Sequence, residues 1–171
     1  MNDGDFKVDI LDKTGHKAGE KLRRDIVKGQ DIYHAVYVVL RTPDDLIVLN
    51  KIAARQDMPN LHAGSFGCTA ATIKRVAESG NEAAKRALKN ELGIDLEPEL
   101  LLEKFIEIDG THRLIGLYTA TAPLPTHYNR EDIEELVAIS KTAFQETLDT
   151  EPRKITPVLK MYWDEQQKNQ D

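Results

Sequence analysis

Residues 78–94, with the sequence ESGNEAAKRALKNELGI, constrain the fold more than any other part of the chain. Apolar residues recur there at intervals of three and four, which is the period of one face of an α-helix. Ser79 is placed to cap the helix, Glu82 three residues later completes a capping box, and Gly93 is a helix stop. The spacing predicts an amphipathic helix from about 79 to 92, with an apolar stripe of Ala83, Ala84, Ala87, Leu88 and Leu92.

Short β-branched and aromatic segments flank this helix and predict strands at 6–11, 33–40, 46–49, 101–108, 114–120 and 134–139. Turn residues at 42–45 and 109–110 join two pairs of these strands into hairpins. Segments 142–148 and 157–167 predict helices, 53–66 predicts a loop, and 21–28 and 67–77 receive no assignment. The order of elements is α+β. We expect one domain over 1–171, with a core at about 5–145 and C-terminal helices within 142–167.

Composition excludes several classes of protein. The net charge is −6, which disfavours binding to nucleic acid through phosphate neutralisation. No apolar run approaches the length of a membrane span, and the N-terminus lacks the pattern of a signal peptide. One cysteine excludes an intramolecular disulfide and suits a reducing compartment. We therefore expect a cytoplasmic protein that binds neither nucleic acid nor membrane.

The segment from 72 to 94 resembles the signature of the Nudix superfamily, G-x5-E-x7-R-E-U-x-E-E-x-G-U, in which U is aliphatic. Glu78, Arg86, Leu88, Glu91, Gly93 and Ile94 stand at the signature positions, whereas Thr72, Ala87 and Asn90 depart from it. The resemblance implies the Nudix fold, a mixed β-sheet sandwiched between α-helices. It also implies Mg²⁺ or Mn²⁺ as cofactor and a small diphosphate compound as substrate. Nudix proteins are often homodimers, so a homodimer is a further expectation.

The helix face that binds metal in the family carries Ala87, Asn90 and Glu91 here, and only Glu91 is anionic. Divalent magnesium prefers such oxygen ligands. By the resemblance, Glu91 and Glu78 are the metal-side acids, and Arg86 orients a carboxylate. The alternative is that these charges are solvated, with Glu82 and Arg86 forming an i,i+4 pair that contributes about 0.3 kcal/mol.

Within the superfamily, the chain is most similar to the isopentenyl-diphosphate-isomerase-like branch. Cys68 falls on the isomerase cysteine, and His34 resembles a metal histidine just inside the first core strand. Departures from the branch are severe, because the second metal histidine is Ala70 and the acid paired with the cysteine aligns with Arg113. Arginine does not cycle its proton. For both Cys68 and His34 the alternative is a core residue without a catalytic or metal-binding role.

Two further clusters have open roles in the sequence. Glu131, Asp132, Glu134 and Glu135 either supply a carboxylate from outside the helix, as in many Nudix hydrolases, or form a solvated face. Arg55, Lys74, Arg75 and Arg113 either line a diphosphate pocket or are surface charges. The first hypothesis is a divergent Nudix hydrolase with a degenerate signature. The alternatives are a catalytically silent domain that binds a diphosphate or a protein, and an isomerase that uses Cys68.

Overall fold

The described part of the chain, residues 5–54, 61–108 and 110–168 of a computed structural model, is organised around one β-sheet. Its strands, in chain order, are β1 (Lys7–Leu11), β2 (Lys17–Leu22), β3 (His34–Arg41), β4 (Ile47–Ile52), β5 (Phe66–Gly67), β6 (Ala70–Ile73), β7 (Glu99–Ile108), β8 (Thr111–Thr121) and β9 (Ile133–Ile139). The helices are α1 (Gly80–Leu92), α2 (Lys141–Thr150) and α3 (Pro157–Lys168), with short 3₁₀ turns at Arg23–Asp25 and Pro152–Lys154.

Strand β3 is the centre of a sheet to which the described ranges contribute seven strands. It runs parallel to β8 over its whole length and antiparallel to β4 and β6. Strand β7 continues the sheet beyond β8, and β9 continues it beyond β4. The mixed sheet confirms the α+β class, and the predicted hairpins β3–β4 and β7–β8 are both present.

The two faces of the sheet bury different helices. The apolar stripe of α1 packs on one face, against alternate residues of β3 such as Val36 and Val38. Helices α2 and α3 pack on the other face through Phe144, Leu159 and Trp163. The sheet therefore lies between helices, as the resemblance implied. No helix within the described ranges is both long and apolar enough to cross a bilayer.

The N-terminal hairpin β1–β2 was not predicted in full, because β2 falls in a stretch without apolar alternation. Strand β2 has no buried residue and is held by pairing with β1. Val8 of β1 is fully buried in the same core as α3, so the hairpin closes that side of the sheet. The predicted loop 53–66 lies partly outside the described residues, and its end forms the first residue of β5.

Strands β3 and β4 pair only at Leu40–Val48 and Arg41–Ile47 and then separate. The segment 66–73, which received no strand assignment, fills the resulting gap. Strand β5 pairs with β4, and β6 pairs with β3. Helix α1 packs chiefly over β6 and β3, so the gap between β3 and β4 determines where α1 sits.

Candidate functional site

Helix α1 begins and ends where its sequence predicts. The backbone N–H of Glu82 donates to Ser79 Oγ at 3.1 Å, and the Ser79 N–H donates to Glu82 Oε2 at 2.7 Å. These two bonds are the predicted capping box. Gly93 ends the helix in the left-handed conformation, with φ of 68°, which glycine adopts without strain.

The predicted apolar stripe of α1 is buried in full. Three of its five residues are alanines, which let the helix axis approach the sheet closely. Ala87, which stands where the Nudix signature has an acid, is 2% exposed and belongs to this core. A carboxylate at this position would be desolvated, which is unfavourable unless a cation pairs with it.

Glu78 and Arg86 form a clasp between the segment before α1 and the helix itself. Arg86 Nε donates to Glu78 Oε1 at 2.7 Å, and Arg86 Nη2 donates to Glu78 Oε2 at 2.9 Å. The same guanidinium donates to Thr72 Oγ1 and to the carbonyl oxygen of Ile73, both at 2.9 Å. Arg86 therefore orients Glu78 and binds β6 to α1.

The Glu78 carboxylate accepts three hydrogen bonds, because its Oε2 also accepts the backbone N–H of Arg75 at 2.8 Å. Burial opposes ionisation of Glu78, but the hydrogen bonds from Arg86 and the Arg75 N–H outweigh it, so the pKa of Glu78 is lowered. The group is thus an ionised structural acceptor in this conformation, and both oxygens are already used within the protein.

Glu91 lies in the last turn of α1, against the edge of β6. Its Oε1 accepts the backbone N–H of Ala71 at 3.4 Å, a long hydrogen bond. The backbone carbonyl of Glu91 accepts the N–H of Asn129 at 2.8 Å. Glu91 therefore joins α1 to β6 on one side and to the loop before β9 on the other.

Asn129 brings an acid from outside the helix to this end of α1. Its side-chain Nδ2 donates to Asp132 Oδ2 at 2.9 Å, and its Oδ1 accepts the N–H of Glu131 at 3.0 Å. The carbonyl of Asp132 accepts the N–H of Ala53, just beyond β4, at 3.1 Å. Asp132 is consequently fixed between β4, β9 and the loop that contacts Glu91.

The other acids of the predicted cluster are exposed at the surface. Glu134 pairs with Lys51 at 2.7 Å, and Glu131 and Glu135 are exposed. Asp132 is the partly buried member of the four. The sequence placed these acids near one another but did not single out Asp132, and it gave no role to Asn129. An Asn followed by an acid three residues on, as at 129 and 132, is a weak local signal of such a turn.

His34 lies on the α1 face of the sheet but under the opposite end of the helix. Its Cε1 lies 3.7 Å from where a Cβ on Gly80 would be, and Gly80 is the first residue of α1. Glu91 is eleven residues further along the helix, a distance of about 16 Å at 1.5 Å per residue. The structure therefore does not bring His34 and Glu91 to one metal centre.

Cys68 lies on the other face of the sheet. It is 5% exposed and packs in the core that contains Phe144 and Trp163. Burial raises the pKa of its thiol well above the ordinary range. Reactive cysteines need the thiolate and access to substrate, so these surroundings are those of a structural cysteine.

The predicted basic residues do not converge. Lys74 pairs with Asp9 at 3.6 Å, Arg75 lies over the Phe6 ring, and Arg113 lies over the Tyr33 ring. Arg55 falls outside the described residues. Within the described ranges, no three histidine, cysteine, aspartate or glutamate side chains are grouped so as to hold a metal ion. The candidate site is the region around Glu91 and Asp132, which Asn129 joins through its N–H to the Glu91 carbonyl and its Nδ2 to Asp132.

Comparison with known proteins finds similarity in structure alone. No protein-family model and no curated protein matches the sequence. DR0079 from Deinococcus radiodurans has a TM-score of 0.71 at 14% identity, over 85% of this chain and 90% of that one. A MutT protein from Methanosarcina mazei Go1 has a TM-score of 0.65 at 14% identity, over 82% and 96%. A MutT NUDIX hydrolase from Burkholderia pseudomallei has a TM-score of 0.60 at 22% identity, over 78% and 97%. The chain thus has the fold of the MutT and Nudix hydrolase structures.

Proposed function

We propose that the protein is a hydrolase that cleaves a diphosphate linkage in a small molecule with the help of Mg²⁺ or Mn²⁺. The observation that carries the proposal is the placement of Glu91. In the Nudix fold, it is the one acid retained on the metal-binding face of α1, and it lies against β6 beside a loop that carries a second acid. The hydrogen bonds of Arg86 to Glu78, Thr72 and Ile73 support the proposal, because they hold β6 against α1 next to Glu91.

The donor set at this end of α1 fits a hard divalent cation. Magnesium commonly takes one or two protein carboxylates and keeps water and substrate phosphate oxygens as its remaining ligands. Glu91 and Asp132 would supply two carboxylates, and the exposed amide of Asn90, one position before Glu91 on the helix, would be a neutral oxygen ligand of the same class. When bound, the metal would polarise phosphoryl oxygens and activate water.

The side chains divide the remaining tasks. Glu91 would hold the cation and, through it, the diphosphate. Asp132, whose position is fixed by Asn129, would add a second carboxylate from outside the helix and would accept a proton from the attacking water. Arg86 and Glu78 act at a distance, because they hold the segment 72–78 against α1 so that β6 and Glu91 stay in register.

The test is a screen of diphosphate compounds for phosphate release with Mg²⁺ or Mn²⁺, followed by variants on the best substrate. We expect Glu91→Gln and Asp132→Asn each to lower kcat by about 100-fold or more, because each removes an anionic oxygen from the site. Glu131→Gln, an exposed acid on the same loop as Asp132, is the matched control and should retain activity. Full activity in Glu91→Gln would exclude the proposed centre.

A catalytically silent domain that binds a diphosphate or a protein partner is the second candidate. The burial of Ala87 favours it, because the core has closed over a position where the Nudix signature has an acid. Calorimetric titration with Mn²⁺ separates the two. The absence of binding at millimolar Mn²⁺, in protein whose fold is intact, would favour the silent domain. We do not propose the isomerase, because Cys68, on which it depends, is enclosed in the opposite core.

A further inference from the structure

His34 has a buried ring nitrogen that makes no hydrogen bond to the described residues. The side chain is 9% exposed, and its Nε2 has no hydrogen-bond partner in the part of the chain that the structure describes. The nearest acid is Glu103 of β7, whose Oε2 lies 3.5 Å from Nε2 without hydrogen-bond geometry. The Glu103 side chain is 47% exposed, so it is able to move toward the ring. A buried polar atom without a partner is unfavourable and rare.

Gly116 makes this approach possible. It lies on β8 between the two strands, opposite Val36 of β3 and Glu103 of β7. A Cβ on Gly116 would come within 3.0 Å of His34 Nε2. Because this glycine has no side chain, His34 and Glu103 face each other across an intervening strand.

The first turn of α1 rests directly on the same place. A Cβ on Gly80 would lie 2.3 Å from the Tyr118 hydroxyl oxygen and 3.7 Å from His34 Cε1. Gly80 thus lies close to both buried rings, and we expect a change of charge at His34 to alter the electrostatic environment of the N-terminus of α1.

We infer that His34 and Glu103 form an acid-sensitive clasp beneath α1. When His34 takes up a proton, its Nε2–H donates to the Glu103 carboxylate across Gly116, and β3 becomes joined to β7. At neutral pH the ring is uncharged and the clasp is open, with Glu103 turned partly to solvent.

The charges around His34 set the direction of the effect. Glu103 favours the protonated ring. Lys74, whose N–H donates to the His34 carbonyl, disfavours it, as does the partial positive charge at the α1 N-terminus. Tyr118 is neutral at these pH values, and burial raises its pKa. The Glu82 carboxylate is held in the capping box.

Burial, with a smaller effect of Lys74, lowers the pKa of His34, while Glu103 raises it. The lowered pKa means that the folded state holds the neutral ring more strongly than the unfolded chain does. The contribution of the neutral ring to the free energy of unfolding is therefore present above pH about 6.5 and is lost as the pH falls below it. Glu103 limits this loss by pairing with the charged ring.

The test is an NMR titration of the His34 ring in the wild-type chain and in variants of Glu103, with a variant of the exposed Glu107 on the same hairpin as the matched control. We expect Glu103→Gln to move the His34 midpoint to lower pH and to steepen the acid loss of Tm. Glu107→Gln, which removes an exposed carboxylate on the same hairpin, should leave the His34 midpoint unchanged. Gly116→Ala should act like Glu103→Gln, because its methyl group separates the pair. An unchanged His34 midpoint in Glu103→Gln overturns the clasp.

A second readout follows the helix. In the wild-type chain, the amide shifts of Gly80 and Asn81 should titrate with the His34 midpoint, and in His34→Gln they should not. If His34→Gln does not fold, the wild-type chain is compared with Glu103→Gln instead. The midpoint of the Gly80 and Asn81 amide shifts must then move by the same amount as the midpoint of the His34 ring. Amide shifts that stay constant through the His34 titration contradict the contact with α1.

Discussion

Arg86 is the residue with the most consequential contacts near the candidate site. Its guanidinium bonds a carboxylate, a hydroxyl and a backbone carbonyl at once, and its side chain is only 17% exposed. A lysine has the same charge but lacks the planar fork that makes these contacts simultaneous. Removing Arg86 also leaves the Glu78 carboxylate, 13% exposed, without its cation.

We therefore expect Arg86→Ala to lower the free energy of unfolding by about 3 kcal/mol, in the range for a buried ion pair that loses one partner. Arg86→Lys should cost less, because the charge is kept. Lys85→Ala is the matched control, since the half-exposed Lys85 contacts Asp95 and Glu97 only at 3.4 Å and its removal should change stability far less than that of Arg86. Urea unfolding followed by circular dichroism measures all three, and equal losses for Arg86→Ala and Lys85→Ala would contradict the argument.

Among the contacts of single residues, the sequence indicated those between residues that lie close together in the chain. The resemblance implied that Arg86 orients a carboxylate, and in the structure that carboxylate is Glu78, eight positions earlier in the chain. The sequence did not predict the third hydrogen bond to Glu78, because the Arg75 N–H depends on the turn before the helix. The contact of Asn129 with Glu91 joins residues far apart in the chain, so no local pattern reports it.

Helix α1 is the element that the sequence defines best, because its start, its buried stripe and its stop are all encoded within seventeen residues. Ser79 tests this directly. Ser79→Ala removes the oxygen that caps the Glu82 N–H and should destabilise the protein by about 1 kcal/mol, whereas Ser79→Gly should cost only a few tenths. Thermal unfolding of both variants is the measurement, and a Ser79→Ala variant as stable as the wild type would show that the cap contributes nothing.

Strand β2 shows the opposite case. Its six residues KAGEKL have no buried side chain, and the strand is defined by its pairing with β1. Neither hydrophobic alternation nor β-propensity marks it, so sequence patterns miss it for a physical reason. Strands β3 and β8 were predicted because both lie inside the sheet and carry continuous apolar runs.

The position of α1 on the sheet depends on the separation of β3 and β4, and Thr69 lies where the two strands separate. Its hydroxyl accepts the N–H of Leu40 at 2.8 Å and donates to the carbonyl of Val48 at 2.6 Å. Leu40 and Val48 are register partners in the two strands. The fully buried hydroxyl of Thr69 thus bridges two backbone groups at the point where β3 and β4 separate. No sequence pattern indicates this bridge, because β3 and β4 separate at this point only once distant strands have assembled.

Thr69→Val keeps the shape of the side chain and removes the hydroxyl. It leaves a buried N–H on Leu40 and a buried carbonyl on Val48 without their partner, so we expect a loss of about 3 kcal/mol in the free energy of unfolding. Thr69→Ser keeps the hydroxyl and removes one methyl group, which should cost about 1 kcal/mol. Since α1 packs over the segment that fills the gap, Thr69→Val should also speed amide exchange at Ala71 and Glu91. A valine variant that is more stable than the serine variant would show that packing of the methyl group, and not the hydrogen bonds of the hydroxyl, stabilises the sheet at this point.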